Sequence, residues 1–352
     1  MTNRTTGDGD ARNARQPEVP AGGDSARRRI VIAGGSGFIG SYLRDAFLAE
    51  GATVLQIGRN GPDASWGDPD AIREVLDGAD LLINMAGKSV NCRYNERNRA
   101  EIMRSRIDTT TALRDAILAC EAPPRLWVNS STATIYRHAE DRAMTEQTGE
   151  IGQGFSVGIA TAWEEAFFAG ELPHTRRVAL RMAIVLGDGS ALLPLIRLAR
   201  AGLGGPQLDG PWMSTPERRS AGTFHELRAR GGSQKFSWVH IDDVLGVIRF
   251  IDGHDQIDGV VNVSAPNPTD NVGMMRSLRG VLGVPFGLPA PRWVLETGAA
   301  IIRTETELVL KSRWVVPERM LEAGYVFEYP ELTPALAQII RQRRLPQVPV
   351  TG

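Results

Sequence analysis

Hydrophobic and polar positions along this chain follow two periods. Ile30 to Ala33 is a short apolar run that meets a glycine turn. An amphipathic stretch then runs to Glu50, Gly51 stops it, and a second apolar run covers Thr53 to Ile57. The pattern predicts strand, helix, strand. Further apolar runs at Asp80 to Asn84, Arg125 to Asn129, Arg177 to Val185 and "GVVNVSAP" alternate with helical stretches, the longest from Asn95 to Ala119. Such alternation predicts an α/β fold, a Rossmann-like doubly wound parallel sheet with helices on both faces.

After Gly187 the periodicity weakens. Residues 203–234 are rich in Gly, Pro and Arg and read as a loop or lid inserted into the domain. "KFSWVHIDDVLGVIRFI" returns as an extended piece leading into a helix, and from Asp270 onward short helices are broken by Pro and Gly. The expected organisation is a disordered tail (1–28), a dinucleotide-binding domain (29–265), a smaller C-terminal substrate lobe (266–345) and a short tail (346–352). The arginines of the loop, Arg218, Arg219, Arg228 and Arg230, read as a solvated charge run.

Composition narrows the class of partner. With 352 residues, 42% of them hydrophobic, the chain can bury a full core. Its 40 basic and 41 acidic residues give no electrostatic case for nucleic acid or an anionic membrane, which leaves a small polar molecule as the natural ligand. No stretch approaches the ~18 apolar residues of a membrane span, and the first residues lack the apolar segment of a secretion signal. Cys92 and Cys120 have no metal-ligand spacing, so neither a disulfide framework nor a metal site is expected. These features together predict a cytoplasmic protein.

The glycine turn carries the first chemical signal. Gly34, Gly37 and Gly40 form GxxGxxG between a strand and a helix, where a dinucleotide needs a tight turn, close backbone approach and free helix N–H groups for its pyrophosphate. "AGKS" at Ala86 to Ser89 imitates the end of a P-loop, but Leu82 stands where that motif needs its first glycine. At the tip of the second strand, Gly58-Arg59-Asn60 offers an arginine and no carboxylate before Asp63. An acidic residue there would hold the ribose diol of NAD; Arg59 instead favours NADP(H) over NAD(H).

The ordered motifs "GGSGFIG", "INMAGKSV", "IMRSRIDTTTAL", "VNSSTATIY", "AWEEA", "LRMAIVLGDGSAL", "GLGG", "SWVHIDD", "NVSAP" and "VPERMLEAGYVFEYPEL" run from about Arg29 to Arg341. Together they resemble the atypical, extended branch of the short-chain dehydrogenase/reductase superfamily. Within it they resemble the NAD-dependent epimerase/dehydratase-like subgroup of unknown substrate, which has its own small C-terminal domain. The resemblance implies that Gly34, Ser36, Gly37, Phe38, Ile39 and Gly40 lie under the pyrophosphate and that Arg59 meets the adenosine phosphate. It places Asn84, Met85, Ala86 and Gly87 past the adenine ribose, and Glu101 and Arg106 on the long helix facing the cofactor. Relatives often pair through two helices, so the Asn95 to Ala119 helix is the candidate contributor to a homodimer.

In the wider superfamily a Ser or Thr orients the substrate while a Tyr, its pKa lowered by a Lys four residues on, handles the proton. Thr132 matches the hydroxyl position. In "GFSVGIATAWEEAFF", however, Ser156 stands at the Tyr position and Ala160 at the Lys position. The chain's three lysines, Lys88, Lys235 and Lys311, have no Tyr four residues before them. The resemblance therefore implies an NADP(H)-dependent oxidoreductase or sugar-nucleotide-epimerase-like enzyme whose proton donor lies elsewhere. Tyr136 is the first candidate, with Glu164, His240 and Asp242 behind it. Arg181, a polar residue at a strand end, is a candidate contact for the cofactor or an anionic substrate, or a partner for a carboxylate at the sheet's edge, and the sequence does not separate these. The alternative reading is a non-catalytic NADP(H)-binding regulator.

Overall fold

The computed structural model describes residues 27–189, 192–224, 229–301 and 305–344. Of the expected tails only Arg27 and Arg28 are described; residues 1–26 and 346–352, and Arg228, lie outside the described residues.

The amino-terminal half alternates strand and helix: β1 (Arg29–Ala33), α1 (Phe38–Ala49), β2 (Thr53–Gly58), β3 (Ala64–Ser65), α2 (Pro69–Leu76), β4 (Leu81–Asn84), α3 (Glu96–Leu118), β5 (Leu126–Thr132), α4 (Phe155–Phe168) and β6 (Arg176–Met182). The caps explain two boundaries. Asn95 accepts the Asn98 N–H at 2.8 Å to start α3, and Asp68 accepts the Ala71 N–H at 3.0 Å to start α2, whose first residue is Pro69.

Past β6 the chain forms β7 (Ile184–Leu186), α5 (Leu192–Leu198), α6 (Pro216–Ser220), β8 (Lys235–Phe236), β9 (Trp238–His240), α7 (Ile241–Asp252), β10 (Gly259–Val263) and β11 (Thr269–Asp270). It ends with five helices: α8 (Asn271–Leu282), α9 (Arg292–Ile301), α10 (Glu307–Leu310), α11 (Glu318–Glu322) and α12 (Leu332–Arg344).

Seven strands pair in parallel in the order β10-β6-β5-β4-β1-β2-β3. Both faces are covered, so the central strands carry continuous apolar runs rather than alternating with polar residues, and the buried polar side chains gather near their carboxyl ends, as at Asn84, Asn129, Ser131 and Arg181. Ile30, Ile32, Leu81, Ile83, Val178 and Leu180 pack on one face with Phe47 of α1 and Val244, Val247 and Ile248 of α7. Val31, Ala33, Leu82, Trp127 and Ala179 pack on the other with Ile72 of α2, Leu113 and Ile117 of α3, and Phe167 of α4. The expected doubly wound sheet is present.

One expected strand divides. Arg177 to Val185 breaks at Ala183, whose N–H still bonds Val263 O at 2.9 Å, while the next N–H, of Ile184, turns to Ser237 O. β7 thereby leaves the main sheet and pairs with β9. A third apolar cluster joins Leu192 and Ile196 of α5 to Met274 and Leu278 of α8 and to Leu336 and Ile339 of α12, so the C-terminal helices share a core with the segment after β7.

The loop of residues 203–234 is tied at several points. Its Leu208 N–H bonds Ala290 O at 2.8 Å, Gly222 O accepts the Phe155 N–H at 3.1 Å, and Asp209 pairs with Arg292 at 2.6 Å. Arg218 is not merely solvated: it lies 3.5 Å from both Glu296 and Glu305, whose side chains are almost wholly buried. Arg230 is exposed.

Candidate functional site

Strand order reverses about β1 and β4, and the glycine turn sits at the carboxyl end of β1, at that switch point. Two glycines are required by geometry. Gly34 has φ +83°, and a Cβ there would stand 2.8 Å from the Met85 and Ala86 backbone. A Cβ on Gly40 would stand 2.3 Å from Gly34 O. The turn is held by Gly34 N–H to Ile57 O at 2.9 Å and Gly37 N–H to Gly34 O at 3.1 Å. Gly37 precedes α1 as its cap and offers no side-chain hydrogen bond, and the first turn of α1 has no acidic residue. Its leading N–H groups and positive dipole end suit an anion. Ser36 is exposed and Phe38 and Ile39 are half-buried at this mouth. The Phe38 ring fills the space over Gly187 and Gly189, where added Cβ atoms would meet it at 2.8 and 2.3 Å.

At the tip of β2, Arg59 is exposed. Asp63, the nearest carboxylate in sequence, is turned back onto the strand, where Oδ2 accepts the Gln56 N–H at 2.8 Å. That hydrogen bond ties Asp63, itself exposed, to its own strand, with Arg59 exposed at the tip.

The loop after β4 is stiffened from beneath. Asn84 is fully buried; its Nδ2 donates to Asn129 Oδ1 at 2.7 Å, and its Oδ1 accepts the Ala86 N–H at 3.0 Å. The Asn84 side chain thus shapes the loop from inside, leaving the Met85 to Gly87 backbone as the surface a ligand can meet. Arg106, on α3, donates to Lys88 O at 3.1 Å and Ile102 O at 3.0 Å and lies 5.0 Å from the Trp163 ring centre. No carboxylate pairs with it among the described residues, and burial lowers its guanidinium to about 10. Glu101 forms an ion pair with Lys88, whose Nζ also donates to Asn98 Oδ1 at 3.0 Å.

The substrate side contains Thr132 at the end of β5. Its hydroxyl accepts the Thr134 N–H at 3.1 Å and starts a single 3-10 turn. Tyr136 and Arg181, expected as proton donor and cofactor contact, instead meet each other in the interior. Tyr136 is 1% exposed; its hydroxyl donates to Asn262 Oδ1 at 2.9 Å and accepts from Arg181 Nη1 at 3.0 Å. Arg181 also grips Glu164 from Nε at 2.8 Å and Nη2 at 2.6 Å, and Glu164 receives the Ser131 hydroxyl. Burial pushes the Tyr136 phenol up against the lowering pull of Arg181. The buried network, with its partners in place, ties β6 to α4 and to the turn after β5. His240 is similarly engaged, capping α7 through Asp242 N–H at 3.2 Å and meeting Gln338 at 3.0 Å, and Asp242 accepts from Tyr42.

At the two positions that lack Tyr and Lys, Ser156 donates to Glu307 Oε2 at 2.7 Å, and Ala160 is fully buried against Ile135, Tyr136 and Val315. The C-terminal region therefore reaches this point. Lys311 donates from Nζ to Thr134 O at 2.7 Å, and Arg313 from Nε to Thr134 Oγ1 at 3.2 Å. The sequence alone gives no signal for these contacts. A cavity of about 530 Å³ lined by Arg27, Arg28, Glu50, Asp80 and Arg125 lies at the amino ends of the strands, away from this site. Among the described residues no group of His, Cys, Asp and Glu side chains is arranged to hold a metal ion, and no helix is long and apolar enough to cross a membrane.

A Rossmann-like sheet with a glycine turn at its switch point and a helical C-terminal region reaching the cleft defines a protein of the extended short-chain dehydrogenase/reductase type. Residues 30–154 match the NAD dependent epimerase/dehydratase family, and residues 290–339 match a domain of unknown function, DUF1731. Epimerase family protein SDR39U1 of Bos taurus is 31% identical over 320 residues, covering 89% of this chain and 99% of that protein. Epimerase family protein YfhF of Bacillus subtilis is 27% identical over 324 residues, covering 90% and 99%. The chain belongs to this epimerase family. The crystal structure of human epimerase family protein SDR39U1 (isoform 2) with NADPH matches it at a TM-score of 0.75 and 28% identity, covering 89% of this chain and 99% of that one.

Proposed function

We propose that this protein is an NADP(H)-dependent oxidoreductase or epimerase-like enzyme that acts on a small polar substrate. The observation that carries the reading is the charge at the β2 tip: Asp63 is bound to the Gln56 N–H, and Arg59 is left facing outward. A similar protein whose structure contains NADPH supports it.

In this reading the Gly34 to Gly40 turn and the start of α1 hold the pyrophosphate, and Arg59 holds the 2′-phosphate. The Met85 to Gly87 backbone passes the ribose, with Arg106 behind it and Glu101 beside it. When bound, the nicotinamide supplies or accepts hydride. Thr132 orients the substrate oxygen. Tyr136 and Arg181 are assigned to holding β5, β6 and α4 together, because their polar atoms are spent on one another, on Asn262 and on Glu164.

The test uses NADPH deuterated at the transferable position, incubated with the purified protein and a small-molecule cell extract. Label and isomer composition are then read together by mass spectrometry and chromatography. Label in a metabolite, or an isomer change from hydride returned internally, is the expected result. Cofactor that binds yet leaves every metabolite unchanged would replace the enzyme with the regulator reading, which the Ser156 to Glu307 contact favours by tying the usual tyrosine position to the C-terminal region.

A further inference from the structure

We propose that Lys311, brought in by the C-terminal region, is the proton-transfer residue of this cleft, donating from Nζ to the substrate oxygen that Thr132 orients. The inference rests on the hydride-transfer reading above.

α10 is one turn long, and its flanks touch Ser156, at the usual Tyr position, on one side and the turn after β5 on the other. At its start Glu307 accepts from Ser156 at 2.7 Å; just past its end Lys311 donates to Thr134 O at 2.7 Å. Thr134 in turn gives its N–H to the Thr132 hydroxyl at 3.1 Å. A single residue therefore links the ammonium of Lys311 to the hydroxyl at the end of β5.

The surroundings of the three lysines differ. Lys88 is engaged by Glu101 and Asn98, and Lys235 lies 4.9 Å from the Trp314 ring centre. Lys311 is 5% exposed, and among the described residues one hydrogen bond, to Thr134 O, holds it, with no carboxylate within ion-pair distance. An ammonium has three donors. The other two have no protein acceptor among the described residues.

A buried lysine so placed is also suited to exchange its proton near neutrality. Burial drives Lys311 down to about 8, with the Glu307 charge raising it and Arg313 lowering it. The Glu307 charge also acts on Tyr94, and His138 Nδ1 accepts the N–H of Ser312, next in the chain. In the reducing direction a reduced nicotinamide cofactor gives hydride to the substrate carbonyl carbon and is itself oxidised. An N–H bond of Lys311 breaks, an O–H bond forms on the substrate, and the neutral amine regains its proton from solvent. The reverse direction uses the neutral amine as base.

Because the chain has three lysines, [ε-13C]lysine labelling gives three side-chain signals, and Lys311→Arg identifies one of them. Titration by NMR is expected to place the Lys311 midpoint at about 8, and NADP+ is expected to move that signal. A midpoint in the ordinary lysine range overturns the proposal, as does a signal indifferent to NADP+ while calorimetry shows NADP+ bound. Failure of NADP+ to bind at all overturns the cofactor reading itself, and the proposal with it. Lys311→Met is then expected to retain NADP+ binding and to slow label transfer from deuterated NADPH by about 100-fold or more, with partial recovery on adding methylamine. Transfer at the wild-type rate in that variant overturns the assignment.

Discussion

Arg181 and Glu164 form a two-pronged ion pair, Nε to Oε1 at 2.8 Å and Nη2 to Oε2 at 2.6 Å, both side chains about nine-tenths buried. It bolts β6 to α4 beside the site where the superfamily keeps its Tyr and Lys. Removing one partner leaves the other charged and dry. Glu164→Ala is expected to cost about 3–5 kcal/mol of stability, read as a shift in the urea unfolding midpoint.

Tyr136→Phe is the milder change in the same network. It removes the hydroxyl that joins Arg181 to Asn262 and is expected to cost about 1–2 kcal/mol. Once label transfer can be followed, its pH dependence should stay that of the unmodified protein. A shifted profile would restore Tyr136 as the acid.

The glycine turn makes a steric prediction. Gly40→Ala puts a methyl 2.3 Å from Gly34 O, so the turn or α1 must move. Calorimetry is expected to show NADPH affinity reduced more than ~10-fold in this variant, whereas Gly280→Ala, in α8 at a glycine with no neighbour within 4 Å of the added carbon and no positive φ, should bind NADPH as the unmodified protein does.

Lys311 makes stability depend on pH. Its folded value of about 8 lies below the ordinary 10.5, so between those values the unfolded chain binds the extra proton and stability rises with pH. Below 8 both states are protonated and the full cost of burying the charge remains. Lys311→Met is expected to increase stability at pH 7 by at most about 3 kcal/mol, seen as a higher melting temperature, and to abolish the rise between pH 8 and 10.5. Calorimetric scans across that range check both.

The sheet was readable in the sequence because parallel strands covered on both faces carry continuous apolar runs, as Ile30 to Ala33 and Leu81 to Ile83 do. The glycine turn was readable because a positive φ and a 2.3 Å clearance admit little else. The split of Arg177 to Val185 was not readable, since Ala183 and Ile184 are equally apolar and the choice between Val263 and Ser237 is made by distant strands. The roles of Tyr136 and Arg181 depend on Asn262, 126 positions from the tyrosine, and on Glu164. Lys311 meets Thr134 from 177 positions away, and neither period nor spacing marks a lysine as arriving at a cleft built so much earlier in the chain.

Arg59 decides the central claim most directly. Isothermal titration of the unmodified protein and of Arg59→Ala with NADPH and with NADH compares the extra phosphate with the guanidinium alone. The account predicts that NADPH binds the unmodified protein roughly 10-fold or more tightly than NADH, and that Arg59→Ala removes this margin while leaving NADH affinity in place. Equal affinity for the two cofactors, or a preference that survives the loss of Arg59, would contradict it.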